Sequence, residues 1–382
     1  MSLIYLDNNA TTKIDSQVLE VMLPYLTDNF ANASSTHSFG VGANEAVKVA
    51  RQQIASLIGC EINEIVFTSG ATESINLAIK GVAEIYQNKG KHIITVQTEH
   101  TAVLDVCKYL EKKGFEITYL PVKDDGLIDL NLLKAKLRPD TILISIMAVN
   151  NEIGVIQPIK EIAELAHNNS ILFMTDATQA VGKIPIKVDD LGIDLMTFSA
   201  HKIYGPKGIG ALFIRQRRPF RVKLETLIHG GGHEGGYRSG TLNVASIAGF
   251  GKACEIANKT MSITAKYVED LRNNLEKELL KIEDSKINGN IEKRLYNVCN
   301  IRFKGCDADA MISSIDNIAF SNGSACTSIS IEPSHVLIAL GLTDIEAYSS
   351  IRLSLSKFNT IEEIPLVVEI IKNKVMELRA ML

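Results

Sequence analysis

Between about residues 62 and 215, short apolar runs rich in Val, Ile and Phe alternate with stretches whose apolar positions recur at helical spacing. The runs are EIVFTS (64–69), HIITVQ (92–97), EITYLPV (116–122), TILISIMAV (141–149), ILFMTDA (171–177), DLMTFSA (194–200) and GALFIR (210–215). Segments such as ESINLAIKGVAEIYQN (73–88) and IKEIAELAHNN (159–169) carry the helical period between them. This alternation predicts an α/β unit in which crossover helices join the strands of a mostly parallel, seven-stranded sheet. Beyond the glycine-rich IHGGGHEGGYRSGT (228–241), Ile263, Tyr267, Leu271, Leu275 and Leu279 recur every four residues, which predicts a long helix leading into a second unit. There, NVCNIRF (297–303) and SSIRLSLS (349–356) read as strands and TIEEIPLVVEIIKNKVMEL (360–378) as a last helix, which suits a smaller α+β domain. The expected division is a large domain over 14–258 and a small one built from 1–13 and 259–382.

Composition narrows the function classes. The 382 residues are 46% hydrophobic and 22% charged, ordinary globular values, and a net charge of −4 gives no bulk attraction to nucleic acid or to an anionic membrane. The N-terminus has no basic segment followed by an apolar run, and no stretch approaches about 18 uninterrupted apolar residues, so a cytoplasmic protein is expected. The six cysteines are scattered without a CxxC pair or metal-ligand spacing, so neither a disulfide framework nor a metal site is indicated. Cys326 stands apart from the other five. It lies in SNGSACTSIS (321–330), among small and hydroxylic residues with no large apolar anchor, which predicts a mobile, polar loop and not a core position.

In an open α/β sheet, ligands bind beyond the carboxyl ends of the strands. The residues found there form a coherent set: Gly70, Ala71 and Thr72 after the first run, His100 after the second, Asn151 after the fourth, Asp176 and Gln179 after the fifth, and Ser199, His201 and Lys202 after the sixth. Taken singly each has a plain reading, Thr72 as a helix cap and Lys202 as a solvated loop lysine, for example. Together, a lysine, a strand-end aspartate, a histidine able to stack and a helix start rich in hydroxyls are the parts that hold pyridoxal 5'-phosphate. The lysine forms the Schiff base, the aspartate keeps the pyridinium nitrogen protonated, and backbone N–H groups after Gly70 take the phosphate with help from the helix dipole. GGGHEG (230–235) formally matches a dinucleotide fingerprint, but no strand leads cleanly into it and GYRSGT opens no helix. His229 and His233 are separated by three glycines, which argues against a helix aiming both at one zinc.

The segments YLDNNATT, SSTHSFG, FTSGATESINLAIKG, TEHTAVLD, VNNEIG, DATQAVGKIPI, SAHKIYGPKGIGAL, GGGHEGGYRSGT, GSACTS and SSIRLSLS run in order from residue 5 to beyond 350. In this they resemble the cysteine desulfurase family, NifS/IscS-type, over essentially the whole chain. The resemblance implies a homodimeric, fold-type I pyridoxal-phosphate enzyme that converts L-cysteine to L-alanine. It also implies that the sulfur is held as a persulfide on Cys326 and passed to an iron–sulfur scaffold or another persulfide-accepting protein. By position, Lys202 resembles the Schiff-base lysine, His100 the ring-stacking histidine that helps proton transfer, and Asp176 the pyridinium partner. Gln179 matches the residue bonded to the cofactor's phenolic oxygen, and Thr72, Ser199 and His201 match phosphate ligands. Thr241 matches the ligand lent by the other subunit, while Asn151 and Arg352 match the pair that takes the substrate carboxylate. The chain departs from the common pattern at Ala31, Ala33, Gly235, Ser356 and Lys357, none of which belongs to the cofactor set.

Overall fold

A computed structural model describes residues 3–217, 221–323 and 332–381. Residues 324–330 of the expected cysteine loop, Cys326 among them, lie outside these residues. A seven-stranded sheet forms the middle of the larger unit, made of β2 (Ile65–Thr68), β3 (His92–Val96), β4 (Glu116–Leu120), β5 (Thr141–Ser145), β6 (Leu172–Asp176), β7 (Leu195–Ser199) and β8 (Gly210–Ile214). Their spatial order is β2-β8-β7-β6-β5-β3-β4, and only β8 runs against the others. The expected mostly parallel sheet is therefore present, and each predicted run supplies one strand.

The runs are continuously apolar because both sheet faces are covered. Successive side chains point to opposite faces. Thus Ile65 and Phe67 of β2 join one core with Ala211 and Phe213 of β8, while Val66, Leu212 and Ile214 join the core on the other side. Helices α3 (Ala71–Tyr86) and α4 (Thr101–Glu111) pack in the second core, whereas α1 (Ser16–Leu26), α2 (Ser38–Ile58) and α6 (Ile159–Asn168) pack in the first. A short α5 (Leu130–Lys136) lies between β4 and β5 in the chain. Edge strand β2 is not left open: the Glu234 carboxylate accepts the Phe67 N–H at 2.7 Å and is held by Arg51, so the glycine-rich segment covers that edge.

Helix α7 (Val244–Leu279) runs for 36 residues and serves both units. Its first half buries Ile247, Phe250 and Cys254 in the large core, and Gly251 lets it close on α2, since a Cβ there would meet the Ala50 Cα at 2.5 Å. Its second half buries Val268, Leu271, Leu275 and Leu279 in a separate core. The expected stripe is only partly right: Ile263 is 72% and Tyr267 43% exposed. A strict spacing of four overshoots a 3.6-residue turn by about 40° each time, so the stripe rotates off the buried face within four steps.

That separate core sits on an antiparallel sheet of β9 (Ser285–Ile287), β10 (Val298–Phe303) and β12 (Ser350–Ser354), with β10 in the middle, and on the last helix, Glu363–Arg379. The N-terminal arm belongs to it: β1 (Ile4–Tyr5) pairs in parallel with β11 (Ile318–Ala319), and Asp7 bridges to Ser354. Two of the departures have local partners. Gly235 has φ of 65°, a backbone setting that favours glycine, and Lys357 pairs with Asp15 while lying 4.5 Å from the centre of the Tyr204 ring.

Candidate active site

The carboxyl ends of β2, β3, β6 and β7 open into a cavity of about 550 Å³. Ala71, Thr72, His100, Asn151, Asp176, Gln179, Ser199, His201, Lys202 and Arg352 all line it. Thr241 does not; it is exposed, just ahead of α7.

Helix α3 starts at Ala71 with Gly70 as its N-cap, which has no side chain to cap the first turn. Strand β8 approaches here so closely that a Cβ on Gly210 would lie 2.7 Å from the Gly70 Cα. The uncapped amide groups of a 16-residue helix therefore face the cavity beside Ser199 and His201, a donor set suited to a phosphate. Glu73, in the same turn, would oppose an anion. Burial raises its pKa, but hydrogen bonds from Ser69 and Arg238 outweigh that and hold it below the usual carboxylate range, so its charge is spoken for. Burial, with the charges of Lys202, Lys207 and Lys183 adding to it, lowers His201 to about 4. Its imidazole is neutral at physiological pH and meets the Thr11 hydroxyl at 3.1 Å.

His100 is the N-cap of α4, where Nδ1 accepts the Ala102 N–H at 3.1 Å. That fixes the proton of the neutral ring on Nε2. Asp176 ends β6 and is 6% exposed; Oδ1 accepts from the Thr178 N–H at 2.9 Å and from the Thr197 hydroxyl at 3.4 Å. Lys202 leaves a short turn after β7 and donates to the carbonyls of Asn9 at 2.5 Å and Ala10 at 2.7 Å.

Across the cavity, Arg352 on β12 is 2% exposed and spans the two units. Its guanidinium donates to Asp7 Oδ1 at 2.6 Å and to the Asn151 carbonyl at 3.1 Å. Three buried atoms of cavity-lining side chains, Asn151 Oδ1, Thr178 Oγ1 and Arg352 Nε, have no hydrogen-bond partner among the described residues. Unpaired buried polar atoms are costly, so the cavity is fitted to a polar guest. A phosphorylated pyridine and an amino-acid carboxylate match this set: cationic nitrogen to Asp176, carbonyl carbon to Lys202, phosphate to the α3 N-terminus, carboxylate to Arg352. Among the described residues no group of three His, Cys, Asp or Glu side chains could hold a metal ion.

Several site residues carried no role in the sequence reading. Asn9 accepts from Lys202 and from Gln179, and Asp7 holds Arg352; their signal was the polar cluster DNN directly after an apolar IYL. Glu99, beside His100, is fully buried. Burial first, then the Asp176 charge, pushes its pKa well above the ordinary value, and Oε1 takes the Met147 N–H at 2.6 Å. Glu152 is buried between the stems of the cysteine loop: it accepts from the Ser334 hydroxyl at 2.5 Å, and a Cβ on Gly323 would come within 2.6 Å of it.

The other five thiols are poor nucleophiles. Cys107, Cys254, Cys299 and Cys306 are buried and Cys60 is half-buried. Burial pushes both Cys60 and Cys107 up to about 12 and raises the remaining three as well. A thiolate is the reactive form, so none of these is poised to react near neutral pH.

The model for class-V aminotransferases matches residues 4–367. A cysteine desulfurase IscS from Pasteurella multocida (strain Pm70) is 55% identical over 379 residues, covering 98% of this chain and 93% of its own length. The chain belongs to the cysteine desulfurases of the class-V aminotransferase family. A solved NifS-like protein superposes with a TM-score of 0.92 at 38% identity, covering 98% of this chain and 99% of its own. A structure described as SspA in complex with cysteine superposes at 0.84 with 40% identity, covering 94% of this chain and all of its own. The fold is that of the fold-type I pyridoxal-phosphate enzymes, and pyridoxal 5'-phosphate is the family's cofactor and this chain's.

Proposed function

We propose that Lys202 carries pyridoxal 5'-phosphate in this cavity and that the enzyme moves sulfur from L-cysteine to Cys326, releasing L-alanine. The observation that carries this reading is the convergence of Lys202, Asp176, His100 and the uncapped α3 N-terminus on one cavity whose far wall offers Arg352 and Asn151. When bound, the cofactor supplies an electron sink for carbanionic chemistry at the α and β carbons of an amino acid.

Asp176 keeps the ring nitrogen protonated, and its two internal donors fix the carboxylate for that contact. Ala71, Thr72, Ser199 and His201 take the phosphate. His100, held at Nδ1 by the Ala102 N–H, would cover the ring. Arg352 and the amide of Asn151 hold the substrate carboxylate, for which a planar guanidinium is geometrically matched. Lys202 takes the Cα proton as general base. The Cys326 thiolate then attacks the substrate sulfur. An S–S bond forms as the Cβ–S bond breaks, and the electron pair of the broken bond stays with carbon, which after protonation becomes the methyl of alanine.

The same reading extends to assembly and setting. Thr241, exposed at the end of the glycine-rich segment, serves the phosphate of a second copy in a homodimer. The domains divide at 13/14 and 258/259, supported by the separate cores at the two ends of α7. The persulfide passes to an iron–sulfur scaffold or a similar acceptor in the cytoplasm. No helix among the described residues is long and apolar enough to cross a membrane. The test is alanine and persulfide production from L-cysteine by the holoenzyme and by Lys202→Ala. The variant is expected to lose the cofactor's lysine-linked visible absorption and at least a thousandfold in turnover; normal absorption and turnover would refute the assignment.

A further inference from the structure

Beneath the cavity, the chain after β6 makes a helical turn in which Val181 N–H bonds to the Ala177 carbonyl and Ile184 N–H to the Ala180 carbonyl, both four residues back. That spacing sets Gln179 and Lys183 on one side. Lys183 is only 6% exposed, and its ammonium donates to Gln179 Oε1 at 2.7 Å. The other end of the amide, Nε2, donates to the Asn9 carbonyl at 2.9 Å.

These two partners settle the amide orientation without ambiguity. An ammonium has no acceptor and a carbonyl has no donor, so only one of the two near-isosteric orientations satisfies both. Nε2 has a second hydrogen, and Gln179 lines the cavity. Gln179 therefore presents a donor to a bound molecule, and the residue that enforces this is Lys183, which does not line the cavity itself.

We propose that Lys183 is a positioning residue: its buried ammonium locks Gln179 as a hydrogen-bond donor to the ring oxygen of the bound cofactor, favouring the anionic oxygen and easing loss of the proton from the neighbouring lysine-linked nitrogen. This rests on the reading that Lys202 carries the cofactor. The charged and titratable groups facing Lys183 are Lys202 and His201 after β7, Arg352 on β12 and, around a cavity of about 20 Å³ on its other side, Asp15, Tyr204, Tyr296 and Lys357. Asp15 is paired with Lys357, so it is not free to neutralise Lys183. Burial, with Lys202 and Arg352 adding like charge, lowers Lys183 to about 7. The lock is thus engaged in mildly acidic solution and weakens as the pH rises through about 7 and Lys183 loses its proton.

The test is a pH titration of the visible spectrum of the holoenzyme, with Lys183→Met, Gln179→Leu and the double variant. Lys183→Met is expected to move the spectral midpoint upward by about one unit, because a cation and the donor it holds are both removed. It should lower kcat for L-cysteine more than it changes KM. In the Gln179→Leu background the same change should add little of the donor effect, since the two residues act in series. Lys183→Gln, neutral but still polar, replaces Met if that variant does not fold and should shift in the same direction. An unshifted midpoint in a folded Lys183 variant, or fully additive shifts in the double variant, overturns the inference alone. A wild-type chain with no Lys202-dependent absorption overturns it together with the cofactor reading.

Discussion

The two walls of the cavity are built differently. At the strand ends, Asp176 and His100 are each fixed by an N–H two residues on, from Thr178 and Ala102, and the α3 N-terminus is seated against the sheet by the packing of Gly70 on Gly210. The opposite wall is assembled from distant parts of the chain, with Arg352 held by Asp7 from 345 residues away and by the Asn151 carbonyl from 201 away. A permanent guest needs a preorganised seat, and the first wall provides one. A substrate that enters and leaves needs a charged group whose own counter-ion can yield, and the Asp7–Arg352 pair provides that. Changes to the first wall should therefore strike the cofactor and turnover, and changes to the second should strike affinity for cysteine.

The largest effect expected short of losing Lys202 is at Asp176. Asp176→Asn should fold and bind cofactor, but a neutral amide no longer holds the ring nitrogen protonated, so kcat should fall on the order of a hundredfold or more. Steady-state kinetics beside the visible spectrum test this, and unchanged kcat would break the division between the walls. Arg352→Lys should leave the cofactor spectrum as it is and raise KM for cysteine about tenfold, because an ammonium cannot make the paired contacts of a guanidinium. A loss confined to kcat there would place Arg352 with the cofactor wall. Asp7→Asn should have the smallest effect, a change in KM of about two- to threefold, since the amide oxygen can still accept from the Arg352 guanidinium in place of the carboxylate. Isothermal or kinetic measurement of cysteine affinity distinguishes this from no effect.

The same division governs what the sequence reveals. The first wall was legible because each member follows an apolar run, and strand ends in an open α/β sheet are where ligands sit. The residues that brace it, Asn9, Lys183 and Glu99, were not, since their roles depend on contacts such as Lys202 to Asn9 that no local pattern encodes. Arg352 emerged only through family resemblance; on sequence alone it reads as a surface residue of a strand. The stripe along α7 misled at Ile263 and Tyr267 because a four-residue repeat does not follow the turn of a real helix. Thr241 and Cys326 read from the sequence as functional, yet the first is outside the cavity of its own chain and the second outside the described residues.

In the proposed mechanism the sulfur leaves cysteine onto one thiol, that of Cys326. Mass analysis of the cysteine-containing peptides after a single turnover with L-cysteine, in wild type and in Cys326→Ser, tests it most directly. One added sulfur on the Cys326 peptide is predicted, with none on peptides carrying the five thiols whose pKa burial raises. Cys326→Ser should keep the wild-type cofactor spectrum and melting temperature while alanine formation falls to background. Added sulfur on another cysteine, or alanine produced at the wild-type rate by Cys326→Ser, would contradict the account.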